Sequence, residues 1–237
     1  MGKIDFFTGT WLIDEVKSPI NGKVQAIKSF AFGTYLQVGK LTQSGGVVYN
    51  VWRTTLKKVK GKRQDLPAGK AGVKDCLILG LAGGSVAKLV RKYWGWDVEI
   101  TGVDIDPIMV KMGRKHLGLD KYKVNVVIED AYEFLRKTEN RKRASAKASG
   151  DAKPNTKYDL ICTDLYVGDQ YPAKFEKEEF LKLIRKLLSK NGIAVFNRLY
   201  YDEKRAQAMK FGKVLEKHFT SVTPVFPQAN IMFVCRK

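Results

Sequence analysis

CLILGLAGGSVAKLVRKYW (76–94), followed closely by VEITGVDIDP (98–107), decides how the rest of this sequence is read. Cys76-Leu77-Ile78-Leu79 is the continuous apolar run that a strand buried on both faces requires. It breaks at Gly80-Leu81-Ala82-Gly83-Gly84-Ser85 and passes into a helical pattern from Val86 to Tyr93. Small residues there let a ligand approach the backbone and meet the free N–H groups that open the helix, although a simple tight turn has the same composition. The next strand supplies an independent signal. It ends in Gly102-Val103-Asp104-Ile105-Asp106-Pro107, so Asp104 follows Gly80 at close to the roughly 20-residue spacing at which an acid accepts from ribose hydroxyls. Asp106, directly before Pro107, is the better helix cap of the two acids.

The same alternation of apolar strand and amphipathic helix continues along the chain. VNVVIED (124–130) precedes a helix over Tyr132–Lys137. YDLICTDLY (158–166) precedes EEFLKLIRKLLSKNG (178–192), a helix ending at Asn191-Gly192, and GIAVFN (192–197) is a fifth strand. A helix over 203–218 and a hairpin of TSVTPVF and NIMFVCRK close the chain. Such a succession predicts an α/β fold with a parallel, Rossmann-like sheet. Ahead of it, Lys23–Ile27 and Thr34–Val38 alternate as half-buried strands between Asn21-Gly22 and Phe32-Gly33 turns, which predicts an antiparallel β unit over 11–48 and a short helix over Tyr49–Val59. The expected organisation is an N-terminal β-rich segment at 1–56, a basic linker loop at 57–74, and a catalytic domain at 75–237 carrying a mobile basic insertion at 139–157.

Composition narrows the function classes. With 43 Lys and Arg against 24 Asp and Glu, the 237-residue chain carries a formal charge of +19. The cations crowd into the two connecting segments and do not alternate with aromatics, which favours solvated loops over a nucleic-acid groove. No run reaches the roughly 18 to 20 apolar residues of a membrane span, and the start lacks a basic head with an apolar run, so a cytoplasmic protein is expected, with no membrane partner. Cys76, Cys162 and Cys235 are too dispersed for a zinc site or disulfides and read as buried thiols. His116 and His218 sit in helix-like sequence without a catalytic setting.

Two further acids end strands. Asp130, in Glu129-Asp130-Ala131, fits an acceptor for an adenine amine and a helix N-cap equally well. Asp164, in Thr163-Asp164-Leu165-Tyr166, lies at the carboxyl edge of the sheet, where open α/β sheets bind and react their ligands. It is the best candidate for chemistry.

Taken in order, LILGLAGGSVAKLV, GVDIDPIMVKMGRKHL, VVIEDAYEFL and YDLICTDLYVG resemble the successive motifs of the spermidine synthase family of aminopropyltransferases and their methyltransferase-like relatives. Leu36-Gln37-Val38-Gly39 with Gln43 and Tyr49 resembles the family's β segment and first helix. The resemblance implies a class I S-adenosylmethionine-dependent transferase fold. Its cofactor would be S-adenosylmethionine or decarboxylated S-adenosylmethionine, without a metal. It implies that Gly80, Ala82 and Gly84 form the cofactor turn, that Asp104 and Ile105 hold the ribose, and that Asp130 and Ala131 hold adenine. Gln43 would meet the cofactor's tail, and Asp164 would orient and deprotonate the attacking amine beside Tyr49 and Tyr166.

Three departures from the family's polyamine enzymes bear on the acceptor. Gly83 stands where they carry an Asp in the glycine turn. Val167 stands where they carry a second Asp, with Asp169 two positions further on. Their Tyr-His-Glu run reads Tyr49-Asn50-Val51. Burying an unpaired ammonium costs on the order of several kcal/mol, so an ordinary diamine is expected to be a poor acceptor. The expected activity is transfer of an aminopropyl or methyl group to a small nucleophile. The rivals are a class I methyltransferase with a non-polyamine acceptor, RNA included, and a non-catalytic cofactor-binding relative. A homodimer is compatible with these features.

Overall fold

A computed structural model describes residues 4–5, 9–64, 72–148 and 157–237. The strands β1 (Ile4–Asp5), β2 (Thr10–Ser18), β3 (Gly22–Ser29), β4 (Gly33–Val38) and β5 (Leu41–Gly45) form an antiparallel sheet in chain order. Helix α1 (Gly46–Gln64) leads out of it. There follow β6 (Asp75–Leu79), α2 (Ser85–Trp94), β7 (Glu99–Asp104), α3 (Pro107–Leu117), β8 (Asn125–Ile128), α4 (Ala131–Ala148), β9 (Tyr158–Thr163), α5 (Glu178–Leu187), β10 (Leu188–Leu199), α6 (Lys204–Glu216), β11 (Ser221–Val225) and β12 (Asn230–Arg236).

The second sheet runs β11-β12-β10-β9-β6-β7-β8. Strands β6 to β10 pair in parallel, and β12 pairs antiparallel with both β10 and β11, which is the closing hairpin expected from the sequence. Chain direction across this sheet reverses between β6 and β9, the place where the connecting helices diverge to opposite faces and leave a crevice at the carboxyl ends of the strands. One apolar layer packs α1 and α2 against the sheet around Trp52, Leu56, Leu89 and Ile78, and the other packs α5 and α6 around Phe180, Phe196 and Phe211. All three cysteines are free and buried. No described helix is long and apolar enough to cross a membrane.

The helix boundaries depart from the sequence reading in three places. Helix α1 continues past Val59 to Gln64, and α4 continues past Lys137 to Ala148. Lys, Arg and Ala are strong helix formers, so a stretch that looks like a solvated loop by polarity keeps the helix that precedes it. The remainder of the two basic segments, 65–71 and 149–156, lies outside the described residues. The third difference is at the end of α5, which stops at Leu187 and not at Gly192: Leu188 is already extended and fully buried, pairing with Tyr158, and the register then shifts before Ile193 meets Leu160.

One acid joins the two sheets. Asp106 caps α3 by accepting from the backbone N–H groups of Ile108 at 2.8 Å and Met109 at 3.4 Å. Its other oxygen accepts from the Ser18 hydroxyl at 2.5 Å and the Asn21 side-chain amide at 2.6 Å, both at the β2–β3 turn. Asp106 is fully buried, so these donors are the only counterweight to its desolvation among the described residues. Asp106→Ala removes both the cap and the latch and is expected to cost about 2–3 kcal/mol in urea denaturation, whereas Ser18→Ala costs about 1 kcal/mol.

Candidate functional site

The crevice at the sheet's carboxyl edge encloses about 100 Å³. Its walls are apolar at Val103, Ile105, Met109, Leu165 and Phe175, and its polar lining includes Asp104, Glu129, Asp130 and Asp164. Gly80 makes the crevice by bringing β6 and β9 together. It has φ +86°, and a Cβ there would lie 2.0 Å from the carbonyl oxygen of Asp164, so no other residue fits. Ala82 holds a positive φ of 45°, a strained conformation for a residue with a Cβ, and in that conformation its N–H points at Asp104.

Asp104 accepts from the Ala82 N–H at 2.7 Å through one oxygen and from the Asp106 N–H at 2.8 Å through the other. Each oxygen keeps a further lone pair, as two neighbouring hydroxyls would require. Burial pushes its pKa up to about 6 against the opposing pull of those two N–H donors. Asp130 divides its oxygens, and the N-cap role that its sequence offers is present. One caps α4 through the N–H groups of Tyr132 at 3.0 Å and Glu133 at 3.3 Å, and the other pairs with Lys174 at the crevice wall. An adenine amine would share that second oxygen with Lys174.

Asp164 sits at the base of the crevice with both oxygens already held. The indole N–H of Trp52, on α1, donates to one at 2.8 Å, and the side-chain amide of Asn197, on β10, donates to the other at 2.7 Å. Asn230 on β12 donates to the carbonyl oxygen of Asn197 at 2.8 Å, which fixes the amide so that its N–H end faces Asp164. Burial raises the Asp164 pKa to about 6, and the hydrogen bonds from Trp52 and Asn197 hold it from rising further. Tyr166 also lines the crevice, but its hydroxyl accepts the Leu199 N–H at 2.8 Å, and burial pushes its pKa upward. It is therefore a wall and an anchor for the loop after β9.

Of the residues singled out in the sequence, Gln43, Gly80, Ala82, Asp104, Ile105, Asp130, Ala131, Asp164 and Tyr166 all line this crevice. Gln43 reaches from β5 to the carbonyl oxygen of Gly168 at 3.1 Å, across the mouth. Gly84 and Tyr49 do not join them. Both line a separate recess beside Asn50, where the Lys88 ammonium lies 5.1 Å from the centre of the Tyr49 ring. Trp52 is fully buried on α1, and Tyr49, one turn before it, is half-buried against the same core. Trp52 and Asn197 carry no site role in the sequence reading, and Asn21 enters it only as a turn residue with Gly22. Asn197 had a readable signal, since it ends the fifth apolar strand as Asp164 ends the fourth.

The departures from the polyamine pattern are built into the packing. A Cβ on Gly83 would meet Leu117 Cδ1 at 2.4 Å and Ser44 Oγ at 2.9 Å, and Gly113 of α3 packs directly on it, so an Asp there would have to displace the Leu117 and Ser44 side chains. Val167 is exposed at the lip and pairs with Gln170 through the backbone. Asp169 lies 3.7 Å from the Lys204 ammonium and does not line the crevice. Among the described residues, no cluster of three or more His, Cys, Asp or Glu side chains is arranged to hold a metal.

The sheet order, the glycine turn at the switch point and the acids that follow β7 and β8 define the class: a Rossmann-like α/β protein with a crevice at the carboxyl edge of its sheet. The sequence pattern of the spermine/spermidine synthase domain matches residues 65–237, and the chain belongs to that family. A polyamine aminopropyltransferase of Vibrio vulnificus is 28% identical over 143 residues, 58% of this chain and 43% of its own length; the chain thus spans less than half of that relative. In fold, spermidine synthase from Thermotoga maritima superposes with a TM-score of 0.70 at 17% identity, over 94% of this chain and 72% of the other. Human methyltransferase-like protein 13, solved with SAH, superposes with a TM-score of 0.55 at 21% identity, over 79% of each chain.

If Asp104 carries the ribose, Asp104→Ala should weaken binding of S-adenosylhomocysteine by about 1–3 kcal/mol in a calorimetric titration while the protein stays folded. Equal affinity in the folded variant excludes this role.

Proposed function

We infer that this protein is a transferase that takes an alkyl group from S-adenosylmethionine or decarboxylated S-adenosylmethionine and gives it to a small nucleophilic acceptor other than an ordinary diamine. The observation that carries the reading is Asp164: a carboxylate at the floor of the crevice, immobilised on both oxygens by Trp52 and Asn197, with a pKa raised towards neutrality.

The donor set fits the cofactor. Asp104 offers free lone pairs to two hydroxyls, Asp130 offers one oxygen to an amine, and Val103, Leu165 and Phe175 give a flat base an apolar slot. When bound, the sulfonium supplies a carbon already activated for attack, so the reaction needs alignment, an uncharged nucleophile and exclusion of water more than covalent help. Asp104 and Asp130 fix the nucleoside against the glycine turn. Asp164 accepts a proton from the acceptor and holds its lone pair towards the crevice. Because Trp52 and Asn197 are donors, Asp164 keeps its acceptor character despite burial.

Of the two groups, methyl transfer from intact S-adenosylmethionine is favoured by one observation. The turn position that carries an acid in the polyamine enzymes is Gly83 here, crowded by Leu117 and Ser44, so no carboxylate faces a ligand ammonium at that point. Calorimetric comparison of S-adenosylmethionine with its decarboxylated form separates the two readings, because the tighter ligand identifies the group transferred.

Asp164→Asn should slow transfer roughly 10²-fold or more and leave cofactor affinity nearly unchanged. Full activity in that variant with any acceptor removes the base role. Efficient turnover of putrescine with decarboxylated S-adenosylmethionine would make the enzyme an ordinary spermidine synthase despite Val167 and Gly83.

The acid side of the pH profile carries a sign. Asp164 and Asp104 both have folded pKa values raised to about 6, so each loses its charge as pH falls through 6. Protonated Asp164 cannot accept a proton and protonated Asp104 accepts less well, so kcat/KM should fall below about pH 6. A profile flat down to pH 5 contradicts both assignments.

A further inference from the structure

At the opposite edge of the main sheet, where α5 and α6 end and β9, β10 and β12 meet, the described residues enclose a second cavity of very different character. Lys182, Arg185 and Lys186 come from the last turns of α5, Lys217 from the end of α6, Lys157 from the approach to β9 and Lys237 from beyond β12. Glu139 of α4 is the acid in its lining. Basic residues at helix C-termini have a local use, and two of these serve it: Lys157 donates to the Lys186 carbonyl and Lys237 to the Leu188 carbonyl at 3.0 Å. Lys182 is paired with Glu178 at 2.7 Å, and Lys186 lies 4.0 Å from Glu139. Arg185 and Lys217 are exposed on the same cavity and complement none of these acids at ion-pair distance. The wall thus holds more positive charge than its own acids balance.

An independent feature points into the same cavity. The His218 side chain is only 10% exposed, and its buried Nε2 makes no hydrogen bond. The nearest acid oxygen, on Glu178, is 3.8 Å away, beyond hydrogen-bond reach. A buried ring nitrogen without a partner is costly unless a ligand or water satisfies it. It sits among cations that would draw an anion to that point.

We propose that this cavity is a phosphate-binding site, remote from the transfer crevice, in which His218 Nε2–H donates to a phosphate oxygen and Arg185, Lys186 and Lys217 neutralise its charge. Arginine forks and lysine ammonium groups suit phosphate oxygens, and the surplus of charge suits a group carrying more than one negative charge. The same chemistry is offered by a free phosphate compound and by a nucleic-acid backbone.

The chain has two histidines, His116 and His218, so the ring signals of His218 can be assigned in a nitrogen-15 spectrum with one His116→Gln control. The full chain is titrated separately with inorganic pyrophosphate and with a short single-stranded RNA, and binding is repeated in Arg185→Glu/Lys217→Glu, two exposed positions whose reversal leaves the core intact. Either ligand should move the His218 Nε2 signal, and the double variant should weaken binding at least tenfold. Saturation by pyrophosphate assigns the site to free phosphate compounds, and a shift with RNA alone assigns it to nucleic-acid backbone. A His218 signal unmoved by both ligands, or equal affinity in the double variant, overturns the proposal.

Discussion

Two hydrogen bonds onto the carboxylate of Asp164 hold this architecture to its purpose. They come from Trp52, on the helix that leads out of the N-terminal sheet, and from Asn197, on the strand beside Asp164's own. A buried carboxylate costs several kcal/mol unless donors replace its water, so the site exists only where α1, β9 and β10 arrive together. Asn230 extends the constraint to the antiparallel strand β12, since it orients the Asn197 amide. The closing hairpin thus positions the acid from behind.

The glycine turn obeys the same geometry from the other side. Gly80 lies so close to the Asp164 backbone that a single added carbon cannot be placed, and Gly83 is wedged between Ser44, Leu117 and Gly113. These contacts bring Asp104, Asp130 and Asp164 to one edge, and they crowd the turn position at Gly83. An acid at position 83 would have to displace the Leu117 and Ser44 side chains, which belong to α3 and β5.

Much of this was legible in the sequence because strand-ending acids in an α/β pattern fall on one sheet edge whatever the tertiary detail. Asp104, Asp130 and Asp164 could be read in this way, and the β-rich start followed from alternation. The partners of those acids could not. Trp52 lies 112 positions from Asp164 and Asn197 lies 33, and only the packing of α1 against the sheet brings the indole to the carboxylate. Sequence order places Tyr49 in the first helix, as observed, but only the packing of that helix shows that its ring lines a separate recess. The basic stretches misled because polarity and helix propensity point in opposite directions for Lys and Arg.

The central claim is that Asp164 is a desolvated carboxylate kept available by fixed donors, and its titration tests this most directly. In a carbon-13 spectrum of the carboxyl group, Asp164 should titrate near pH 6, and Trp52→Phe, which keeps an aromatic ring but removes the N–H, should move that midpoint upward. A midpoint near 4 that is unmoved by Trp52→Phe would contradict the account.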